Sequence, residues 1–169
     1  MVRFDFRAIV ANMRKQIITR KLHTPPPLDR EWLNLQTLAS VEVTSEDAAF
    51  PIESALLPEK KRGWRAAEPG TQTVRLIFDQ PQRVRHISLE FEETETKRTQ
   101  EFSLRWSLDH GNSYREIVRQ QWNFSSPDAT REAEDYRVEL SGVTVIDLTI
   151  EPDKDNFDAR ASLSSLRLA

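Results

Sequence analysis

The hydrophobic positions follow two different spacings along the chain. In residues 4–22, apolar side chains recur every three or four positions, at Phe6, Val10, Met13 and Ile17. That spacing is typical of one face of an α-helix. From Val41 onward, apolar and polar residues alternate, as they do in half-buried β-strands. The sequence therefore predicts an N-terminal amphipathic helix followed by a domain of strands.

The predicted helix has a basic face opposite its apolar stripe. Residues 1–24 contain six Lys and Arg residues against one Asp. Such a helix could lie on an anionic membrane surface or bind a partner protein. It could also pack its stripe on the domain or on a second copy of itself, which is the preferred interpretation because apolar stripes usually mark buried faces. The prolines of the 25–31 spacer end the helix and separate it from a domain at 32–169.

Short strands separated by turns fill the predicted domain. They occupy residues 41–44, 74–78, 84–92, 101–107, 114–122, 136–140, 145–150 and 163–168. Turns are expected at 79–82, 109–112 and 141–142, where Gly, Pro, Asn or Asp occur. No helical pattern separates the strands. The sequence therefore predicts an all-β fold, an antiparallel jelly-roll β-sandwich of about eight strands.

Composition narrows the class of protein. Hydrophobic residues make up 38% of the chain and charged residues 30%, which is typical of a globular protein. The chain has no cysteine, so disulfides and thiolate metal sites are excluded. No apolar run approaches 18 residues, and the N-terminus lacks the apolar core of a secretory signal. A cytoplasmic location is the resulting expectation.

Charge argues against nucleic acid as a partner. Outside residues 1–24, the chain has 18 Lys and Arg residues against 26 Asp and Glu residues. An acidic domain disfavours general nucleic-acid binding, because each phosphate contact requires a cationic side chain.

Three features of the domain resemble a known family. They are the Gly63-Trp64 pair, the Ser107-x-Asp109-x-Gly111 turn and the terminal strand at 161–168. Together they resemble the discoidin or coagulation-factor (F5/8) type C domain of the galactose-binding-like superfamily, over residues 32–169. The resemblance implies ligand binding by three loops at one end of the sandwich. The partners it implies include sugars, phospholipid headgroups and other proteins.

Carried over by position, the three loops are Ser45–Pro51, Ala66–Thr71 and Glu92–Gln100. They contain six candidate ligand-binding residues: Asp47, Phe50, Arg65, Glu68, Lys97 and Arg98. A sugar site requires an aromatic face, and an arginine with a carboxylate to bind neighbouring hydroxyls. The alternative is that these are ordinary solvated loop residues, with Arg65 in a surface ion pair. Trp64 is expected to pack in the core.

The sequence contains no recognisable catalytic or metal-binding pattern. It has three histidines and lacks the HExxH, GxSxG, P-loop and GxGxxG motifs. Asp153 and Asp155 could bind a hard cation, but an ordinary acidic loop is preferred because the EF-hand glycine and spacing are missing. No nucleophile and base can be paired. We therefore predict no catalytic residue, no metal and no cofactor.

Two functions remain after these exclusions. The first is a non-enzymatic module that recognises a sugar or glycan through the loops. The alternative is a protein-interaction or assembly module, in which the N-terminal helix mediates oligomerisation or partner docking.

Overall fold

The computed structural model describes residues 31–60 and 62–169. The predicted N-terminal helix and most of the proline spacer lie outside these residues. Two short helices, α1 (Leu35–Leu38) and α2 (Glu53–Leu56), flank the first strand, β1 (Ala39–Val43). No helix in the described residues has the length and hydrophobicity needed to cross a membrane.

Seven further strands follow, and the register of every described pair is antiparallel. The strands are β2 (Trp64–Pro69), β3 (Gln72–Glu92), β4 (Arg98–Ser107), β5 (Arg115–Phe124), β6 (Arg131–Glu151), β7 (Arg160–Leu163) and β8 (Ser165–Leu168). This architecture is consistent with the predicted all-β sandwich.

Two of the strands are much longer than the sequence predicts. The expected turns at 79–82 and 141–142 lie inside β3 and β6, which are continuous 21-residue strands. These segments nevertheless mark irregularities, because the β3–β6 register shifts between Ile77 and His86. Pro81 lacks an N–H group and Gly142 has a φ of 73°, so both interrupt regular pairing without ending a strand.

The irregularities divide each long strand into two arms. One arm of β3 pairs with β1, and the matching arm of β6 pairs with β4, which continues to β5. The other arm of β3 pairs with β8. Alternating residues from both arms are buried, including Leu76, Leu89 and Phe91. The core therefore lies between surfaces that the same two strands help to build.

A separate ribbon of β2 and β7 is held by the Gly63-Trp64 pair. Trp64 is 1% exposed, which confirms the prediction that it packs in the core. It lies opposite Leu163 in the ribbon. Gly63 has a φ of +71°, and a Cβ there would lie 2.8 Å from the Leu163 carbonyl oxygen. A glycine is thus required by the close approach of β7 as well as by the backbone angle.

Candidate functional site

A cleft of about 330 Å³ opens beside the β2–β7 ribbon. Its volume is within the range of small-molecule sites. Four parts of the chain line it: the start of β2, the 93–97 loop with Arg98, the 153–159 segment and the outer face of β7. The cleft thus joins segments that are far apart in the sequence.

Arg98 forms the floor of this cleft. Its side chain is 5% exposed, and one guanidinium nitrogen lies 3.1 Å from Glu93 Oε2. The guanidinium also donates to the Arg160 carbonyl oxygen at 3.2 Å and to Ser162 Oγ at 3.4 Å. Arg98 therefore ties the 93–97 loop to β7 and holds both walls in place.

The surroundings of Arg98 act on its pKa in opposite directions. Burial lowers the pKa of Arg98 most strongly, and the nearby Arg65 charge lowers it further. The carboxylates of Glu93 and Asp153 raise the pKa and so favour the charged guanidinium. The cleft thus contains a fixed, partly compensated positive charge beside a second arginine.

Arg65 reaches the cleft from β2 and is oriented by Phe50. The Arg65 guanidinium carbon lies 4.6 Å from the centre of the Phe50 ring. The Arg65 amide also donates to the Phe50 carbonyl oxygen at 3.1 Å. The Phe50 ring is thus in contact with an arginine through a cation–π interaction. Phe50 therefore acts here as a support for Arg65, whereas the sequence analysis predicts that it offers a free face for a sugar.

Asp47 and Glu68 lie outside the set of residues that line this cleft. The Asp47 carboxylate accepts a hydrogen bond from the Ala49 amide at 2.9 Å, so it stabilises its own turn. The Asp47 amide donates to the Arg65 carbonyl, which fastens the 45–51 loop to β2. Glu68 is exposed, and its amide donates to Ser45 Oγ at 3.1 Å.

The structure therefore brings together three of the six predicted residues, Arg65, Lys97 and Arg98. Phe50 lines an adjoining cavity together with Arg65. The predicted loop Ala66–Thr71 is wrong in form, since residues 66–69 belong to β2 and only the turn at Gly70 remains. The predicted Glu92–Gln100 loop is shorter, because β3 ends at Glu92 and β4 begins at Arg98.

Sequence reasoning missed the contribution of the segment that precedes β7. Asp153, Asn156 and Arg160 line the cleft. The sequence marks Asp153 only as a possible ligand of a hard cation, and Asn156 only as part of a polar loop. Nothing in the sequence shows that β7 pairs with β2 and so places this loop opposite Arg65. Asp153 Oδ1 accepts hydrogen bonds from the amides of Thr99 and Asp155, at 3.3 and 3.1 Å. This carboxylate therefore anchors the loop to β4.

Phe157 is the second feature that the sequence analysis missed. It is 80% exposed, although large apolar side chains are usually buried. It lies between Asn156 and Ala159, which both line the cleft. An exposed ring beside hydrogen-bonding groups provides an apolar face that the arginines cannot supply.

The described residues also bear on metal binding and catalysis. Within residues 31–60 and 62–169, no three His, Cys, Asp or Glu side chains are placed to hold a metal ion. The polar side chains of the cleft are arginines, a lysine, carboxylates, an amide and hydroxyls. All of them can form hydrogen bonds with hydroxyl groups, and the arginines and the lysine can also bind anionic groups.

Comparison with known proteins places the fold. No family model and no curated protein sequence matches the chain. Solved structures do match. One is a pectin-binding carbohydrate-binding module, 21% identical, with a TM-score of 0.57 over 78% of this chain and 89% of that one.

Two further neighbours are family 32 carbohydrate-binding modules. The module of AlyQ, in complex with 4,5-unsaturated mannuronic acid, is 17% identical, with a TM-score of 0.57 over 78% of this chain and 95% of that one. The module of NanJ from Clostridium perfringens, in complex with galactose, is 12% identical, with a TM-score of 0.54 over 77% of this chain and 92% of that one. These modules have the discoidin or galactose-binding-like fold, and this chain has that fold too.

Proposed function

We propose that this protein is a non-catalytic carbohydrate-binding module whose ligand lies in the cleft between the β2–β7 ribbon and the 93–97 loop. One observation carries the proposal. Phe157 is 80% exposed and lies in the chain between Asn156 and Ala159, which line the cleft. In that cleft Arg65 and the buried Arg98 are held by packing and hydrogen bonds. An apolar ring face with fixed donors beside it is the combination that a sugar requires.

Each group has a distinct role in this proposal. The C–H groups of one sugar face pack on Phe157, which is accessible on the loop before β7. Arg65 and Lys97 donate hydrogen bonds to hydroxyl or carboxylate oxygens, and Asn156 can both donate and accept. Arg98 is too buried to supply most of the contact, so it positions the two walls. The neighbours that bind pectin, mannuronic acid or galactose support sugar as the ligand class.

The test is a glycan array followed by calorimetric titration of the best glycan. We expect Phe157→Ala and Arg65→Ala each to weaken binding about tenfold, which corresponds to about 1.4 kcal/mol. Leu108→Ala is a matched control for the first variant, since Leu108 is an exposed apolar residue in the β4–β5 turn. Arg83→Ala controls for loss of a surface arginine, because Arg83 pairs with Glu139 away from the cleft. Absence of any glycan ligand for the wild-type protein would refute the proposal.

A further inference from the structure

The cleft continues into a longer groove along the outer face of β7 and β8. A cavity of about 170 Å³ adjoins the cleft and shares Arg65, Glu92 and Ser162 with it. A third cavity, of about 310 Å³, adjoins the second and shares Arg62, Glu92 and Ser164 with that one. The three cavities therefore adjoin one another along one face of the domain, and we refer to them together as the groove.

The alternation of β7 and β8 explains how the groove is built. Ala161, Leu163, Leu166 and Leu168 are buried in the core. The intervening residues, from Arg160 to Arg167, face outward and line the groove. At about 3.3 Å per residue, this stretch spans at most about 23 Å, which is several times the width of one pyranose ring.

The basic residues of the groove are mostly uncompensated. Seven cationic residues line it: Lys60, Arg62, Arg65, Lys97, Arg98, Arg160 and Arg167. Among the residues that the structure describes, only Arg98 of these seven has a carboxylate within ion-pair distance. Arg62 lies over the Phe50 ring at 5.6 Å, a contact that leaves its charge unneutralised.

The acidic residues of the groove are fewer than the basic ones, and two of them are in ion pairs. Glu90 is paired with Arg131 at 2.7 Å, and Glu93 is paired with Arg98. The Asp153 carboxylate accepts hydrogen bonds from two backbone amides. Glu92 and Glu95 form no ion pair with any residue that the structure describes. Among the described residues, the groove therefore has more unpaired cationic side chains than unpaired carboxylates, on a domain that is acidic as a whole. Unpaired cations close together favour an anionic ligand.

We infer that the groove binds an extended anionic glycan, a chain of several sugar units that carry carboxylate or sulfate groups. This inference rests on the proposed function and specifies its ligand. One sugar unit occupies the cleft beside Phe157 and Arg65. The units that follow lie along β7 and β8, where their acidic groups meet Arg62 and Arg167. Glu92 and Glu95 interrupt the basic surface, which favours spaced charges over the continuous charge of a nucleic acid.

The test compares chain length, charge and variants by calorimetric titration. The ligands are galacturonic acid, an oligogalacturonide, a sulfated galactan oligosaccharide and a neutral galactan oligosaccharide of matched length. We expect an anionic oligomer to bind at least tenfold more tightly than the neutral one. This difference in affinity should decrease when NaCl is raised from roughly 50 to roughly 500 mM, because salt screens the attraction between charges. The carboxylated and sulfated arms distinguish the two sources of negative charge.

Variants separate the distal groove from the cleft. The double variant Arg62→Ala with Arg167→Ala should weaken binding of the anionic oligomer about tenfold and leave the affinity for galacturonic acid unchanged. Arg65→Ala should weaken binding of both the oligomer and galacturonic acid. Arg83→Ala is the control for net charge, and circular dichroism confirms that each variant is folded. An unaltered affinity of the double variant for the oligomer would overturn the inference.

The outcomes distinguish this inference from the proposed function. If no glycan of any kind binds, the proposed function fails and the inference fails with it. If the neutral oligomer binds as tightly as the anionic ones, the proposed function stands and only the inference is overturned. Equal affinity for a single-stranded DNA oligonucleotide would show a general polyanion surface and would also overturn the inference.

Discussion

Glu132 is a buried carboxyl group whose charge the fold opposes. It lies on β6, is 1% exposed and is opposite Phe91 in the register. Gln120 Nε2 donates to Glu132 Oε1 at 3.1 Å, whereas Oε2 has no partner among the described residues. Burial raises the pKa of Glu132 to about 7, and the neighbouring Glu134 charge adds to the rise. The folded state therefore favours the protonated acid.

The raised pKa makes stability depend on pH in a definite direction. In the unfolded chain the pKa of Glu132 returns to its usual value of 4.5. Between pH 4.5 and about 7 the folded state binds more protons at Glu132 than the unfolded state does. Protonated Glu132 therefore contributes its full stabilisation of the fold below pH 4.5, and this stabilisation is lost as pH rises to about 7. The shift corresponds to about 3 kcal/mol, as an upper value.

Glu132→Gln should remove this dependence, because glutamine resembles the protonated acid in shape and does not ionise. At pH 4.5 we expect the free energies of unfolding of the variant and the wild type to differ by less than about 0.5 kcal/mol. At pH 8 the variant should be more stable, by up to about 3 kcal/mol. Urea titrations at half-unit steps from pH 4.5 to 8.5, followed by tryptophan fluorescence, measure the difference.

Glu139→Gln is the matched control. Glu139 is on the same strand, but its side chain is 70% exposed and pairs with Arg83 at the surface. Its substitution should give a difference in stability that changes little over the same pH range. A constant difference between Glu132→Gln and wild type from pH 4.5 to 8.5 would refute the argument, as would a difference that grows toward low pH.

Two further predictions concern the scaffold. Gly63→Ala should lower the free energy of unfolding by roughly 3 kcal/mol, since a Cβ would meet the Leu163 carbonyl and φ is positive. Gly70 also has a positive φ but no atom within 4 Å of where a Cβ would lie, so Gly70→Ala should lower it by only about 1 kcal/mol. Equal losses for the two variants in urea titrations would contradict this account. Asp147→Asn should cost about 1–2 kcal/mol, because the buried Asp147 carboxylate bridges Arg75 and Arg105 at 3.2 and 2.8 Å, and an unshifted thermal midpoint would contradict that role.

The strands were largely predictable from the sequence because a strand with one buried face must alternate. Val74, Leu76 and Phe78 are apolar at every second position, and all three are buried. The lengths of β3 and β6 were not predictable. Pro81 and Gly142 resemble turn residues in the sequence, but a β-bulge uses the same residues without reversing the chain.

The candidate site was predictable only in part. Arg65 and Arg98 could be assigned to one region from the family resemblance. Phe157 could not, because exposure of an apolar residue depends on the tertiary fold and leaves no mark in a polar loop. The support of Arg65 by Phe50 was equally hidden, since the same two residues fit either a ligand contact or an intramolecular one.

Alternation and residue type are local properties, so they establish the fold class, the absence of cysteine chemistry and the lack of a recognisable catalytic motif. Which charged side chains are paired depends instead on the three-dimensional fold. Glu93 pairs with Arg98, whereas Arg62 and Arg65 contact the Phe50 ring and have no carboxylate at ion-pair distance among the described residues. Pairing of charges depends on distance in space, and the antiparallel return of β7 beside β2 sets those distances. The groove is therefore a product of that return.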